Sequence, residues 1–166
     1  MNKQKLVIVG GGGMVGATAA YACALRSVVE EIVLIDRNAD LVWGQAADIN
    51  DAMGLDRNVE VRAGDYSDIA TDDIVVITAG SPQMPGQTRL ELVGVNANIM
   101  RDIVKNIMAG GAKPYLVVVS NPVDVLTYVA LKESGLPKTR VFGTGTTLDT
   151  SRLKSYLADA LNVDSK

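Results

Sequence analysis

The chain has 166 residues, 48% apolar and 21% charged, proportions that fit one globular domain with a substantial core and exclude a disordered tail. Sixteen basic against nineteen acidic side chains leave a net charge of -3, with no broad positive face for nucleic acid. The count of histidines is 0, which removes the usual general acid and base of neutral pH from any mechanism these residues complete by themselves.

Apolar, β-branched runs recur along the chain with turn residues between them. Residues 6–9 predict a first buried strand, the glycines 10–13 follow, and apolar residues at helical spacing predict a helix over 15–25. A second strand is predicted over 32–35, a helix over 41–53 and a third strand over 59–61. The segment 65–73 carries Asp65, Asp68, Asp72 and Asp73 with Tyr66 and Ser67, and reads as a solvated connection or a single helical turn. A fourth strand over 74–77 leads into Gly80-Ser81-Pro82-Gln83-Met84-Pro85-Gly86-Gln87-Thr88-Arg89, long for a strand-to-helix connection and of the kind that serves as a lid. A helix over 90–108, a strand over 116–119, a helix over 125–132, a strand over 141–142 and a helix over 148–161 complete the order. Strand alternating with helix implies a parallel sheet covered on both faces, and right-handed crossovers make it a doubly wound α/β sheet of six strands, the Rossmann fold. The lone Cys23 excludes an internal disulfide, and no apolar run is long enough to span a bilayer. The apolar run after the first five residues is too short for a secretory signal, so the expectation is a soluble cytoplasmic protein without a membrane partner. Cys23 and Met14 are expected in the core of the first helix, and no metal site is expected.

The glycines between the first strand and the first helix carry the first chemistry. Gly11, Gly13 and Gly16 stand in the pattern Gly-x-Gly-x-x-Gly, in which the first permits a tight turn, the second lets a pyrophosphate approach the backbone and the third lets the helix pack on the strand. Free amides and the helix dipole at Met14 and Val15 favour a bound anion. Asp36 ends the second strand twenty residues after Gly16, where a carboxylate accepts hydrogen bonds from the adenosine ribose and repels a 2′-phosphate. NAD is therefore the expected cofactor, with Arg37 beside it as a cation able to reach a 2′-phosphate.

Ligands of such sheets lie at the carboxyl ends of the strands, near the reversal of strand order, which draws in the lid loop, Asn121-Pro122 and residues 144–152. Together, residues 9–17, Leu34-Ile35-Asp36, Thr78-Ala79-Gly80, Pro85-Gly86-Gln87-Thr88-Arg89, Ser120-Asn121-Pro122-Val123-Asp124 and Leu148-Asp149-Thr150-Ser151-Arg152 resemble the NAD-dependent lactate and malate dehydrogenases. The resemblance runs in order through nearly the entire chain. It implies that Arg152 grips the substrate carboxylate as a guanidinium fork. By the same resemblance Asp149 orients a catalytic histidine, and Arg89 closes with the lid over the substrate carbonyl. Asn121 is implied to bond near the nicotinamide ribose and the reacting oxygen. Each residue alone also has an ordinary reading: Arg89 and Arg152 as surface arginines starting helices, Asp149 as a helix cap, Asn121 as a turn residue. At Gln83 the resemblance implies a specificity position, glutamine in lactate enzymes and arginine in malate enzymes. A neutral Gln83 favours pyruvate and lactate, since the second carboxylate of oxaloacetate needs a cation. Gln87 departs from the family's acidic residue before the Thr-Arg pair, and Lys154 stands where some members use an arginine for a sugar-bisphosphate activator.

In the family the catalytic histidine follows the Leu-Asp-Thr-Ser-Arg segment in a second domain. The resemblance thus divides the chain into an NAD-binding domain, residues 1–146, and a helix, 147–166, leading toward a catalytic domain outside this sequence. It further implies NAD binding with hydride transfer slow or absent, and apolar helix faces, that of Trp43 included, suited to a homo-oligomer. A non-catalytic NAD-binding module and a malate dehydrogenase domain are the competing readings.

Overall fold

The computed structural model describes residues 5–54, 59–82 and 84–164. Among them six strands, β1 (Leu6–Val9), β2 (Glu31–Ile35), β3 (Glu60–Ala63), β4 (Ile74–Ile77), β5 (Tyr115–Val118) and β6 (Val141–Gly143), form one sheet in the order β3-β2-β1-β4-β5-β6. Every pairing is parallel, and central β1 sets Val7 beside Val33 of β2 and Val75 of β4. The helices are α1 (Met14–Leu25), α2 (Ala39–Met53), α3 (Arg89–Met108), α4 (Val123–Ser134) and α5 (Thr147–Leu161).

A strand projects successive side chains to opposite faces, so a strand buried on both sides must be apolar at every position. Accordingly Val7 and Val9 of β1 join Val33, Val75, Ile77 and Leu116 in a core with Met100 and Val104 of α3 and Leu126 of α4. The intervening Leu6 and Ile8 join Ile32 and Leu34 in a second core with Ala20 and Ala24 of α1 and Val42 and Ile49 of α2. The buried face of α1 is Gly16, Ala17, Ala20 and Ala24, small side chains that let the helix lie close to the sheet.

The predicted strands and helices are all present, with bounds shifted by one or two residues where caps operate. Asn38 caps α2 by accepting from the Leu41 amide at 3.1 Å, which starts the helix at Ala39 rather than at the first apolar residue. Thr88 and Glu91 form a reciprocal capping box that starts α3 directly after the long loop, and its hydrogen bonds from Thr88 hold the Glu91 carboxyl below its ordinary range. Met14 corrects the sequence reading: it is 88% exposed rather than in the core, because it sits at the solvent-facing start of α1. Cys23 is partly buried against the second core, and burial raises its thiol pKa.

The aspartate-rich segment also differs from a merely solvated loop. Asp65 caps a single 3-10 turn over Tyr66–Asp68, but Asp73 is buried, accepts from the amides of Ala70 (2.8 Å) and Lys5 (3.1 Å), and lies 3.6 Å from Lys5 Nζ. Arg62 of β3 donates to Asp68 and to Glu31 of β2, both at 2.8 Å, tying the edge strand to the turn. The Arg62 hydrogen bond is the main cause that lowers the Asp68 pKa below its ordinary 3.8. Helix α5 is the loosest element, with Ala158 its buried residue and Leu153, Tyr156, Leu157 and Leu161 exposed. Among the described residues no helix is long and apolar enough to cross a membrane.

A carboxyl whose folded pKa is lowered stabilises the fold above its unfolded pKa, and that contribution vanishes as pH falls through the folded value. Asp68→Asn is therefore expected to cost about 1 kcal/mol at pH 7. The difference from the parent protein should shrink below about pH 4. Urea unfolding at neutral and acid pH measures it, and a difference that grows in acid would contradict this assignment.

Candidate functional site

The sheet order reverses between β1 and β4, because the chain leaves β1 toward β2 and returns after β3 to the other side. The loops at the carboxyl ends of these two strands diverge and leave a crevice above the sheet. The loop after β1 turns at Gly10, whose φ of 94° is in the glycine-favoured region; the sharp turn thus falls on Gly10 and not on Gly11. Gly11 is required for space instead, since a Cβ there would come within 2.8 Å of Leu34 Cβ. At Gly16 a Cβ would strike the Gly10 carbonyl oxygen and come within 2.9 Å of Thr78 Oγ1. The expected close packing of α1 on the strand end is thus real at Gly16. Thr78 braces the same point from β4, its hydroxyl 3.2 Å from the carbonyl oxygens of both Val9 and Gly10.

Gly13 caps α1 without a side-chain hydrogen bond, and the first turn of the helix carries no acidic residue. Among the described residues nothing accepts from the amides of Met14, Val15 and Gly16, while Val15 is 60% exposed and Gly13 is also at the surface. A helix start with free amides and no resident carboxylate attracts an anion through both its N–H groups and its dipole. A Cβ at Gly13 would meet only the Gly10 carbonyl oxygen, at 3.4 Å, so the missing side chain leaves room on the solvent side rather than relieving a clash within the protein.

Asp36 stands beside this cradle at the end of β2. Its Oδ2 accepts from the Gly12 amide at 3.3 Å and its Oδ1 from the Arg37 and Asn38 amides at 2.7 and 3.4 Å. These bonds orient a half-buried carboxylate that retains acceptor capacity for a diol. Tyr66, in the single turn after β3, is half-buried close enough for the Asp36 charge to act on it; burial first and Asp36 second raise its phenol pKa. Nothing in its local sequence marked it, because the proximity of the turn after β3 to the end of β2 is a product of the sheet.

On the other side of the crevice, the loops after β4 and β5 are tied together. The Ser120 hydroxyl lies 2.7 Å from the Ala79 carbonyl oxygen and 3.2 Å from that of Ile77. Asn96, from α3, is buried and bonds to Ser81 and Asn121, a role sequence reasoning missed because one asparagine in a long helix carries no pattern. Gly80 lies beside this amide, and Asn121 itself is exposed. In the long loop, Gln87 accepts from the Met84 amide at 3.1 Å and Gly86 has a φ of 81°, so the tip folds on itself. Arg89 is the first residue of α3, and Gln83 lies outside the described residues. Asp149 and Arg152 sit on the first turns of α5, both exposed, 3.3 Å apart as a pair with each other. Among the described residues Asp36 is thus tied to the Gly12 amide, Thr78 to the turn at Gly10, and Ala79, Ser81 and Asn121 to one another through Ser120 and Asn96, while Asp149 and Arg152 are exposed on α5.

Residues 4–143 match the family model for the lactate/malate dehydrogenase NAD binding domain. The chain belongs to that family. Its cofactor is NAD, and the cradle described above suits a dinucleotide: free amides for the diphosphate, space at Gly13 and a carboxylate for the ribose. L-lactate dehydrogenase 2 of Lactococcus lactis subsp. lactis (strain IL1403) is 50% identical over 167 residues, covering 100% of this chain and 53% of that relative. The crystal structure of minor L-lactate dehydrogenase from Enterococcus mundtii in the ligands-bound form has a TM-score of 0.94 at 49% identity, covering 99% of this chain and 52% of that one. A lactate dehydrogenase from a Medee basin deep-sea metagenome library has a TM-score of 0.93 at 46% identity, with 99% and 52% covered. The chain spans about half the length of the curated relatives it matches.

The second and third glycines of the cradle, Gly13 and Gly16, should respond differently to the same added methyl group. Gly13→Ala meets only ordinary contact, so it is expected to cost about 1 kcal/mol or less in stability while weakening NADH binding at least about tenfold. Gly16→Ala forces α1 off the strand and is expected to cost about 3 kcal/mol. Thermal unfolding beside an NADH titration distinguishes them, and equal loss of stability in both would contradict the division.

Proposed function

We propose that this chain is the NAD-binding portion, residues 1–146 with the helix 147–166 leading onward, of an L-lactate dehydrogenase of the cytoplasm. The reaction is the interconversion of L-lactate and pyruvate, in which NAD supplies the hydride acceptor. The observation that carries the cofactor half of this reading is the uncapped start of α1 facing solvent beside the oriented Asp36 carboxylate. Asp36 would hold the adenosine ribose through its remaining acceptor sites and oppose a 2′-phosphate by charge. Asn121, exposed at the end of β5, would donate its side-chain amide near the nicotinamide ribose. Thr78, Ala79 and Gly80 would form the wall against which that end of the cofactor rests.

The substrate half rests on residue chemistry. Arg152 would grip a carboxylate in a bidentate fork and Arg89 would bring a positive charge with the closing loop. A neutral Gln83 leaves no partner for a second carboxylate, which favours pyruvate over oxaloacetate. Asp149 would orient an imidazole, and the 166 residues contain 0 histidines. Among the described residues Asp149 pairs with Arg152, and these 166 residues by themselves should bind NADH while transferring hydride slowly or not at all. The exposed apolar side chains of α5 and Trp43 of α2, 71% exposed, suit contact with a second copy.

An NADH fluorescence titration followed by addition of pyruvate or oxaloacetate separates these readings. Binding without turnover is expected for the isolated chain, NADH should bind at least about tenfold more tightly than NADPH, and Asp36→Ala should narrow that ratio. Turnover preferring oxaloacetate would overturn the substrate assignment, and unchanged affinity in Asp36→Ala would remove Asp36 from the site. Sedimentation is expected to show self-association, against which a monomer at all concentrations would stand.

A further inference from the structure

We propose that Asn96 is a positioning residue: its buried side-chain amide fixes the base of the 80–89 loop, at Ser81, relative to the backbone of Asn121. It thereby holds the nicotinamide end of the crevice in register with the diphosphate end, an inference that rests on the cofactor placement above. Asn96 is 3% exposed, on the face of α3 whose neighbours Ala97 and Met100 enter the apolar core. A buried amide without partners is costly, so its presence among apolar side chains requires that each polar atom be used.

The partners lie on two different loops. Asn96 Oδ1 accepts from the Ser81 amide at 2.7 Å, while Nδ2 donates to the Ser81 carbonyl at 3.3 Å and to the Asn121 carbonyl at 3.2 Å. These bonds clamp Ser81 through both of its backbone polar groups and reach across to Asn121 with the same nitrogen. Ser81 and Asn121 are 40 residues apart in sequence, and the side chain that bonds to both comes from neither loop. Ser120 and Ala79 add a second tie, one residue before Asn121 and two before Ser81. Asn96 has no exposed surface from which to act on a ligand, so its effect must pass through Ser81 and Asn121.

Removing the amide leaves the Ser81 amide and the Asn121 carbonyl without these partners, and both loops must move to find others. The variants Asn96→Ala, which removes every bond, and Asn96→Asp, which keeps the acceptor but loses the donor and sets a charge against two carbonyl oxygens, should shift Asn121 without disturbing Gly13 or Asp36. ADP engages only the adenosine and diphosphate seats, whereas NADH engages the whole crevice. In both variants NADH should bind about tenfold more weakly while ADP changes by less than about twofold. Hydrogen exchange at the Ser81 amide should be slow in the unsubstituted protein and fast in the variants.

Asn50 provides the matched control. It sits on α2, and its side-chain amide bonds to both the N–H and the C=O of Val61 on the edge strand, away from the crevice. Asn50→Ala should lower stability and leave the ratio of NADH to ADP affinity unchanged. Equal weakening of both ligands by the Asn96 variants, or no weakening of either, would overturn the positioning role. A rapidly exchanging Ser81 amide in the unsubstituted protein would overturn it even where no variant folds. Failure of the unsubstituted protein to bind NADH while ADP binds would instead remove the cofactor placement on which the inference rests.

Discussion

The arrangement depends on one close approach, that of the first turn of α1 to the end of β1. No side chain is tolerated at Gly16, since a Cβ there would run into the Gly10 carbonyl and Thr78. Because the helix starts this near the strand, its free amides are delivered to the edge of the crevice rather than lost into a longer loop. Thr78 secures the contact from β4, so the strand on one side of the topological reversal braces the helix that begins on the other. A larger residue in either place would move the anion seat.

Around that contact the polar groups divide between those that are satisfied and those that are left available. Amides of Gly10 and Gly11 are consumed by the Ile35 carbonyl, and Gly12 by Asp36, so the loop itself is rigid and paired. The next amides, at the start of α1, are not. Asp36 shows the same division within one side chain: three backbone amides orient it, two on Oδ1 and one on Oδ2, and leave Oδ2 able to accept one more hydrogen bond. On the far side of the crevice the buried Asn96 and Ser120 are wholly engaged, and the exposed Asn121 is the group presented. The buried polar groups act as fixed mounts for exposed ones, which is the arrangement a preorganised site requires.

Much of the fold is legible in the sequence because strands buried on both faces must be apolar throughout, and the runs at Leu6–Val9 and Ile74–Ile77 have no competing interpretation once helices alternate with them. The glycine cradle and Asp36 are legible for a related reason, since their roles follow from local backbone geometry and a fixed spacing. The tight turn that the pattern predicts at Gly11 falls on Gly10, because a run of four glycines hides which one takes the positive φ. Met14 was taken for core because a helical pattern shows its apolar face but not where its first turn meets solvent. The solvated reading of the aspartate-rich segment missed Asp73, whose burial depends on Lys5 and Ala70 approaching from separate parts of the chain.

From residue order alone came the doubly wound α/β class, the family resemblance and the dinucleotide cradle, because each rests on periodicity or on short-range spacing that the backbone cannot evade. The folded chain alone decided that Tyr66 comes beside Asp36, that Asn96 spans Ser81 and Asn121, and that Asp149 and Arg152 pair in solvent on α5. The first two relationships join segments distant in sequence, and distances across a parallel sheet are set by the order in which its strands pair and by the packing of helices over them, neither of which a linear pattern records.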